Sequence, residues 1–235
     1  MKLRSLALAL CLSFPYFTLP TLALAANDSP NSQLSATANQ AYLRFPALSG
    51  DTLIFTAEGD LWRTSISGGV AQRITSHQSE ESRAAISPDG SQVAFVASYE
   101  GTAEVYVMPL QGGLPKRVSF ENTGCVVLGW SAQGEVLYST QAQIGPNSQI
   151  VVKRVHPQNM QRSTLPLHDA TDVSLDATGK TAYFTRMGHH LRAENVRRYR
   201  GGAPAQHWRV ALDDKQGAQR HSHKHQFGDR PAMFW

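Results

Sequence analysis

Ile86-Ser87-Pro88-Asp89-Gly90, Gln92 to Ala97, Glu104-Val105-Tyr106-Val107-Met108, Gly112-Gly113 and Lys116-Arg117-Val118-Ser119 follow one another along the chain. In Pro-Asp-Gly the proline presets φ, the aspartate can bond its own backbone and the glycine accepts positive φ, while the runs between are β-branched and aromatic. The stretch therefore reads as strand, turn, strand, loop, strand, turn, strand. Four such short antiparallel strands form a sheet too small to bury its own faces, so copies must stack beside it.

Copies are present on both sides. Upstream, Leu43-Arg44-Phe45-Pro46, Leu53-Ile54-Phe55-Thr56 and Asp60-Leu61-Trp62-Arg63 alternate with turns at Ser49-Gly50-Asp51 and Gly68-Gly69, and Val70 to Thr75 follows. Trp62 overlays Tyr106, Gly68-Gly69 overlays Gly112-Gly113 and Arg73-Ile74-Thr75 overlays Arg117-Val118-Ser119, each 44 positions apart. Downstream, Val126 to Trp130 leads to a turn at Ser131-Ala132-Gln133-Gly134, then Val136-Leu137-Tyr138, Ile150-Val151-Val152 and a turn at His156-Pro157-Gln158-Asn159. Val173-Ser174-Leu175 begins a fourth copy, which turns at Asp176-Ala177-Thr178-Gly179 and continues through Thr181 to Phe184, Trp208 to Leu212 and a last strand near Arg220 to His225. The turn glycines Gly50, Gly90, Gly134 and Gly179 stand 40, 44 and 45 apart. Repeats of this length with four strands each predict an all-β fold, a β-propeller of four-stranded antiparallel blades; a β-sandwich shares the strand count but not the register. The blades fall at about 42–79, 80–121, 122–168 and 169–228, and 229–235 opens a fifth. An apolar strand start at Met233-Phe234-Trp235 is an unexpected stopping place and predicts a truncated sequence, either a fragment or the result of an early stop.

The 235 residues are 41% hydrophobic and 17% charged, an ordinary globular composition. Lys2 and Arg4 precede the apolar run Leu6 to Leu24, which ends in Ala23-Leu24-Ala25. A basic segment, an apolar segment and a small-x-small site predict a signal peptide over 1–25, cleaved after Ala25, and a periplasmic or secreted product with no membrane span after cleavage. Residues 26–41 are small and polar and read as a flexible lead-in to a propeller portion over 42–235. Of the 22 basic residues, removing Lys2 and Arg4 leaves 20 against 18 acidic ones, a net charge of +2 that gives no reason to expect a nucleic-acid partner. Cys11 lies in the signal and follows Leu10 rather than a small residue, which argues against lipidation. Cys125 then has no disulfide partner within the chain.

Ser87-Pro88-Asp89-Gly90 with Val93-Ala94-Phe95 resembles the repeat shared by the periplasmic TolB propeller and several peptidase propellers. The span from Tyr42 to Trp235 more specifically resembles the start of tricorn-type serine proteases, through Tyr42 to Pro46, Gly50-Asp51, Asp60-Leu61-Trp62, Gly68 to Ala71 and the insertion Arg198-Tyr199-Arg200-Gly201-Gly202 before Trp208. That resemblance implies a six-bladed ring followed by a second propeller, a PDZ-like module and a serine peptidase domain carrying the nucleophile and its histidine. It also implies an accessory, inactive piece of a hydrolase that guides or gates peptides, with the remaining domains of a longer parent as partners. In archaeal members a basic pair in a long loop before the third blade holds the substrate C-terminus. The corresponding stretch here, around Thr123-Gly124-Cys125, is short and has no arginine, so that role does not transfer. The competing expectation is a non-enzymatic TolB-like module that binds protein partners; the oligomeric state, a homo-oligomer included, stays open.

The residues themselves offer no Gly-x-Ser-x-Gly elbow and no Ser-x-x-Lys pair, so no serine has a local claim to activation, and no cofactor is expected. Alternation on a strand would place His221, His223 and His225 on one face with rings roughly 6 to 7 Å apart, wide for chelating one ion, so an exposed outer strand is favoured over a metal site. Arg197, Arg198 and Arg200 are the candidates for contact with a peptide carboxylate or another domain, with interdomain packing favoured. His189-His190 need only solvation. Cys125 beside Val126-Val127 reads as a small buried residue rather than a reactive thiol, and Trp62, Trp130 and Trp208, which occur in apolar strands, as blade packing.

Overall fold

The computed structural model describes residues 42–141, 149–167, 170–186, 206–213 and 217–220, all within the compact unit Ala41–Trp235. Among the described residues there is no helix; every regular element is a strand. The first sheet consists of β1 (Arg44–Ser49), β2 (Thr52–Ala57), β3 (Asp60–Ser65) and β4 (Gln72–Arg73). The second consists of β5 (Glu81–Ile86), β6 (Gln92–Ala97), β7 (Glu104–Pro109) and β8 (Lys116–Arg117). The third holds β9 (Cys125–Trp130), β10 (Val136–Gln141), β11 (Ile150–Val155) and β12 (Arg162–Thr164), and the fourth β13 (Ala170–Leu175), β14 (Thr181–Arg186), β15 (Gln206–Ala211) and β16 (Gln219–Arg220). Each sheet is an antiparallel meander of four consecutive strands. The first strands touch in succession, β1 with β5, β5 with β9 and β9 with β13, so the sheets converge along that edge and fan outward as propeller blades.

Burial between blades explains the sequence pattern. Val93, Phe95 and Ala97 of β6 pack with Ile54 and Leu61 of the first blade, while Ala94 and Val96 face Val127, Val136 and Tyr138 of the third. Both faces of the second blade are therefore covered, and β6 is apolar without interruption from Val93 to Ala97 rather than alternating. The third core follows the same rule, with Leu137 and Val152 meeting Val173, Ala182 and Phe184 of the fourth blade. Trp130 stands against the core between blades two and three, and its indole N–H donates to Ala85 O on β5 at 2.9 Å. Trp62 donates within its own blade to Ala57 O at 3.1 Å, and Trp208 packs against the third core.

The turn that sets the register is closed by its own side chains. Gly90 N–H donates to Ser87 O at 2.9 Å, the Ser87 hydroxyl donates to Asp89 Oδ1 at 2.6 Å, and Ser91 donates to the same carboxylate through its N–H and its hydroxyl. Bonds from the Ser87 and Ser91 hydroxyls hold the exposed Asp89 carboxyl down to about 2. The backbone bond recurs from Gly134 to Ser131 and from Gly179 to Asp176, so the weaker copies keep the turn without its full sequence. Gly90 has φ 69°, and an added Cβ would meet nothing within 4 Å. Gly90→Ala is thus expected to cost about 1 kcal/mol through the backbone conformation alone, measured as a fall in the urea midpoint at constant m.

The outermost strands are shorter than the sequence suggests. Val70 to Thr75 and Lys116 to Ser119 read as strands, yet β4 and β8 span two residues each. The reason is a side-chain substitution in the ladder: Leu61 N–H donates to the Thr75 hydroxyl and Val105 N–H to the Ser119 hydroxyl, both at 2.8 Å, where a backbone carbonyl would have continued the pairing. The first strands carry irregularities of their own. β1 is bulged between Arg44 and Ala47 and β5 between Ser82 and Ala85, with Phe45 and Arg83 each at φ 52° and the Arg83 guanidinium 4.9 Å from the Phe45 ring centroid.

Candidate functional site

Two polar features stand out among the described residues: a cavity on the turn side of the blades and a set of buried acids at the junctions between blades. The cavity, about 290 Å³, opens between the second and third blades and is lined by Asp89, Gln92, Trp130, Gln133, His156 and Gln158 among others. The register turns carry Asp89 and Gln133 there, and the turn after β11 carries His156 and Gln158. His156 Nδ1 is buried without a hydrogen-bond partner in the structure. Ser87, also on the wall, is committed to the turn: its hydroxyl donates to Asp89 and accepts from Gln92 N–H at 2.9 Å. The wall thus offers amide donors and acceptors, an indole face and one carboxylate, a set suited to polar backbone or side-chain groups of a peptide.

The junction acids are structural in their bonding. Glu104, at the start of β7, is fully buried and receives the Ser119 hydroxyl, Asn122 N–H at 2.8 Å, Arg117 at 3.1 Å and the Cys125 thiol at 3.4 Å. Burial opposes its charge, but the Ser119 hydroxyl, the Asn122 N–H, Cys125 and Arg117 together hold the Glu104 carboxyl below its usual range. Cys125 is buried as the sequence suggests, within the core between the second and third blades but with Glu104 and Ser119 beside its sulfur. Burial first, and then the neighbouring Glu104 charge, push its thiol up to about 12, which makes it a poor nucleophile. One blade earlier, Asp60 pairs with Arg73 at 2.5 Å, and the fully buried Glu81 receives Tyr99 Oη at 2.7 Å and Thr75 Oγ1 at 3.1 Å. At the third blade, Glu121 accepts from Tyr138 Oη at 2.9 Å and Lys153 Nζ at 2.6 Å.

The residues singled out in the sequence fall elsewhere. Arg197, Arg198 and Arg200, the His189-His190 pair and His221, His223 and His225 all lie outside the described residues, as do the signal segment and residues 229–235. Among the described residues no three His, Cys, Asp or Glu side chains are grouped to hold a metal ion. The buried acids were missed by motif reading, although the register contained the clue. The same offset of 44 that pairs Arg73 with Arg117 also pairs Asp60 with Glu104, Thr75 with Ser119 and Glu81 with Cys125.

Comparison with known proteins places this architecture. The family model described as the tricorn protease N-terminal beta propeller domain matches residues 40–235. Tricorn protease homolog 1 of Streptomyces coelicolor is 33% identical over 183 residues, covering 77% of this chain and 17% of that protein. Putative tricorn protease homolog 2 of the same organism is 33% identical over 177 residues, covering 71% of this chain and 15% of its own length, so the chain spans about a sixth of these relatives. Among solved structures, the crystal structure of the tricorn protease superposes with a TM-score of 0.63 at 24% identity, covering 77% of this chain and 18% of that one. A putative TolB from Agrobacterium tumefaciens gives a TM-score of 0.60 at 21% identity over 78% of this chain and 63% of its own. The two structural likenesses speak to the fold, and the family match over the four blades is decisive: the chain belongs to the tricorn protease N-terminal β-propeller family.

Proposed function

We propose that this chain is the N-terminal propeller portion of an exported tricorn-like serine peptidase, and that it guides or gates peptides for a catalytic domain lying outside residues 1–235. The family match over residues 40–235 carries this reading, since the relatives are tricorn proteases of which the chain corresponds to a small share. The amide-lined cavity on the turn face adds support, because it is furnished for hydrogen bonding rather than for bond cleavage. Export rests on Lys2, Arg4 and the apolar run ending at Ala25.

The test has three parts. N-terminal sequencing of the secreted product is expected to begin at Ala26. The purified chain is expected to leave peptides uncleaved; labelling by a serine-reactive probe that one Ser→Ala change abolishes would overturn this. In the longer parent, replacing Arg197 and Arg198 together by alanine is expected to leave KM for peptides unchanged, as interdomain packing predicts, whereas a rise of about tenfold with kcat unchanged would assign them to substrate contact. A second reading, a TolB-like module that binds protein partners without catalysis, is favoured by the TolB likeness and by the 26% identity over 165 residues to the Tol-Pal system protein TolB of Francisella tularensis. Coding DNA beyond residue 235 separates the two: a serine peptidase region supports the first, a stop after ring closure the second.

A further inference from the structure

The junctions between consecutive blades carry one polar constellation twice, and the two copies differ by an exchange of side-chain length. Between the second and third blades the buried acid is Glu104, its hydroxyl partner Ser119, its cation Arg117 and its neighbour across the junction Cys125. Between the first and second, the same four places, each 44 positions earlier, are held by Asp60, Thr75, Arg73 and Glu81. A long acid facing a short thiol has become a short acid facing a long one. The second junction therefore contains one buried carboxylate, a neutral thiol and one guanidinium, which also pairs with the exposed Glu100 at 2.8 Å, whereas the first contains two buried carboxyl groups for the single guanidinium of Arg73.

The hydrogen bonds show where a proton is needed. Glu81 Oε1 accepts from Tyr99 Oη and Oε2 from Thr75 Oγ1, and Thr75 in turn accepts from Leu61 N–H. Asp60 is 4% exposed; its Oδ2 meets Arg73 at 2.5 Å, but its Oδ1 is buried with no partner. In the second junction the corresponding acid does receive a donor from the equivalent side, the Cys125 thiol at 3.4 Å. At position 81 an ionised carboxylate has nothing to donate, but a carboxylic acid has one O–H. Leaving a buried carboxylate oxygen without a donor is costly, and two adjacent buried carboxylates repel.

We propose that Glu81 is protonated in the native protein and donates that proton to Asp60 Oδ1, so that the first junction, like the second, holds a single buried negative charge. The surrounding groups are consistent with this. From the first blade, Asp60 presents its charge and Arg73 is engaged by it; from the second, Tyr99 is a neutral donor. His77, whose ring lies 4.2 Å from that of Tyr99, opposes the protonation when charged, and Glu80 is paired with Arg44. Burial raises the Glu81 carboxyl above its ordinary range, the Tyr99 and Thr75 bonds offset part of this, and the Asp60 charge adds to the rise.

Linkage makes the proposal measurable. An unfolded chain releases the Glu81 proton above about 4.5, whereas the native chain retains it, so stability is full below that pH and declines as pH rises through the native value. Within that window the folding constant of the full chain is expected to fall about tenfold per pH unit from this group, read by urea unfolding in a pH series. Glu81→Gln keeps an N–H donor for Asp60 and an acceptor for Tyr99 but cannot ionise, so its folding constant relative to wild type is expected to rise with pH across the window. The infrared carbonyl band of a protonated carboxyl at pH 6, present in the wild type and missing in Glu81→Gln, is the second readout. Should Glu81→Gln fail to fold, Glu81→Cys, which installs the partner used one blade later, takes its place with the same expectations. A variant-to-wild-type ratio that does not change with pH, or the absence of the protonated band from the wild type, overturns the proposal.

Discussion

Phe95→Ala is expected to destabilise the chain by about 4 kcal/mol, a large share of the roughly 5 to 15 kcal/mol that holds a domain together. Phe95 is fully buried on β6, where the first and second blades meet. Its ring lies 6.1 Å from Tyr106 in a stacked arrangement and 6.3 Å from Tyr99 edge-on, so truncation removes two aromatic contacts as well as buried area. Neighbours cannot collapse into the space easily, because Ala94 and Val96 on either side point to the opposite face and serve another core. The measurement is a urea transition, in which the midpoint should fall by roughly a quarter to four-fifths, according to the wild-type stability, while the slope m is retained. A loss below about 1 kcal/mol would mean that the blades do not depend on this contact for their cohesion.

Glu104→Ala should cost about 3 kcal/mol, for a different reason. The Ser119 hydroxyl, Asn122 N–H and Arg117 would lose their shared acceptor inside the junction. Glu104→Gln fills the space but cannot satisfy three donors as a carboxylate does, and it should recover only part of the loss. The acid limb of the stability curve supplies the sign. Because the native Glu104 carboxyl lies below its usual range, its contribution is present above about 4.5 and is lost as pH falls through the native value. Glu104→Gln should therefore flatten the acid limb. A variant that retains the wild-type loss on acidification would show that Glu104 is not the group responsible.

The propeller was legible in the sequence because its signals are local. Ser87 to Gly90 makes its turn from residues within five positions of one another, and an unbroken apolar β6 announces a sheet covered on both faces. Strand length was less legible. Whether Thr75 offers its carbonyl or its hydroxyl to Leu61 depends on a neighbouring acid that belongs to the next blade, and nothing in Val70 to Thr75 encodes that choice. The junction chemistry was hidden for a related reason. Asp60 and Glu81, read singly, look like ordinary polar residues at strand starts, and only the overlay of one blade on the next shows an acid recurring where a buried strand begins. The turn-face cavity joins residues more than sixty positions apart, from Ser87 to Gln158, and no motif search spans that distance.

Ending β4 and β8 with a hydroxyl has an effect on how the molecule meets others of its kind. Among the described residues, β4 and β8 offer two residues each and β12 three, so these outer margins carry only a short row of unsatisfied backbone groups. An incoming strand would find few amide partners there. The same two side chains that tie one blade to the next thereby limit fibrous growth along the rim, and cohesion within the propeller and resistance to edge-on aggregation arise from one set of atoms.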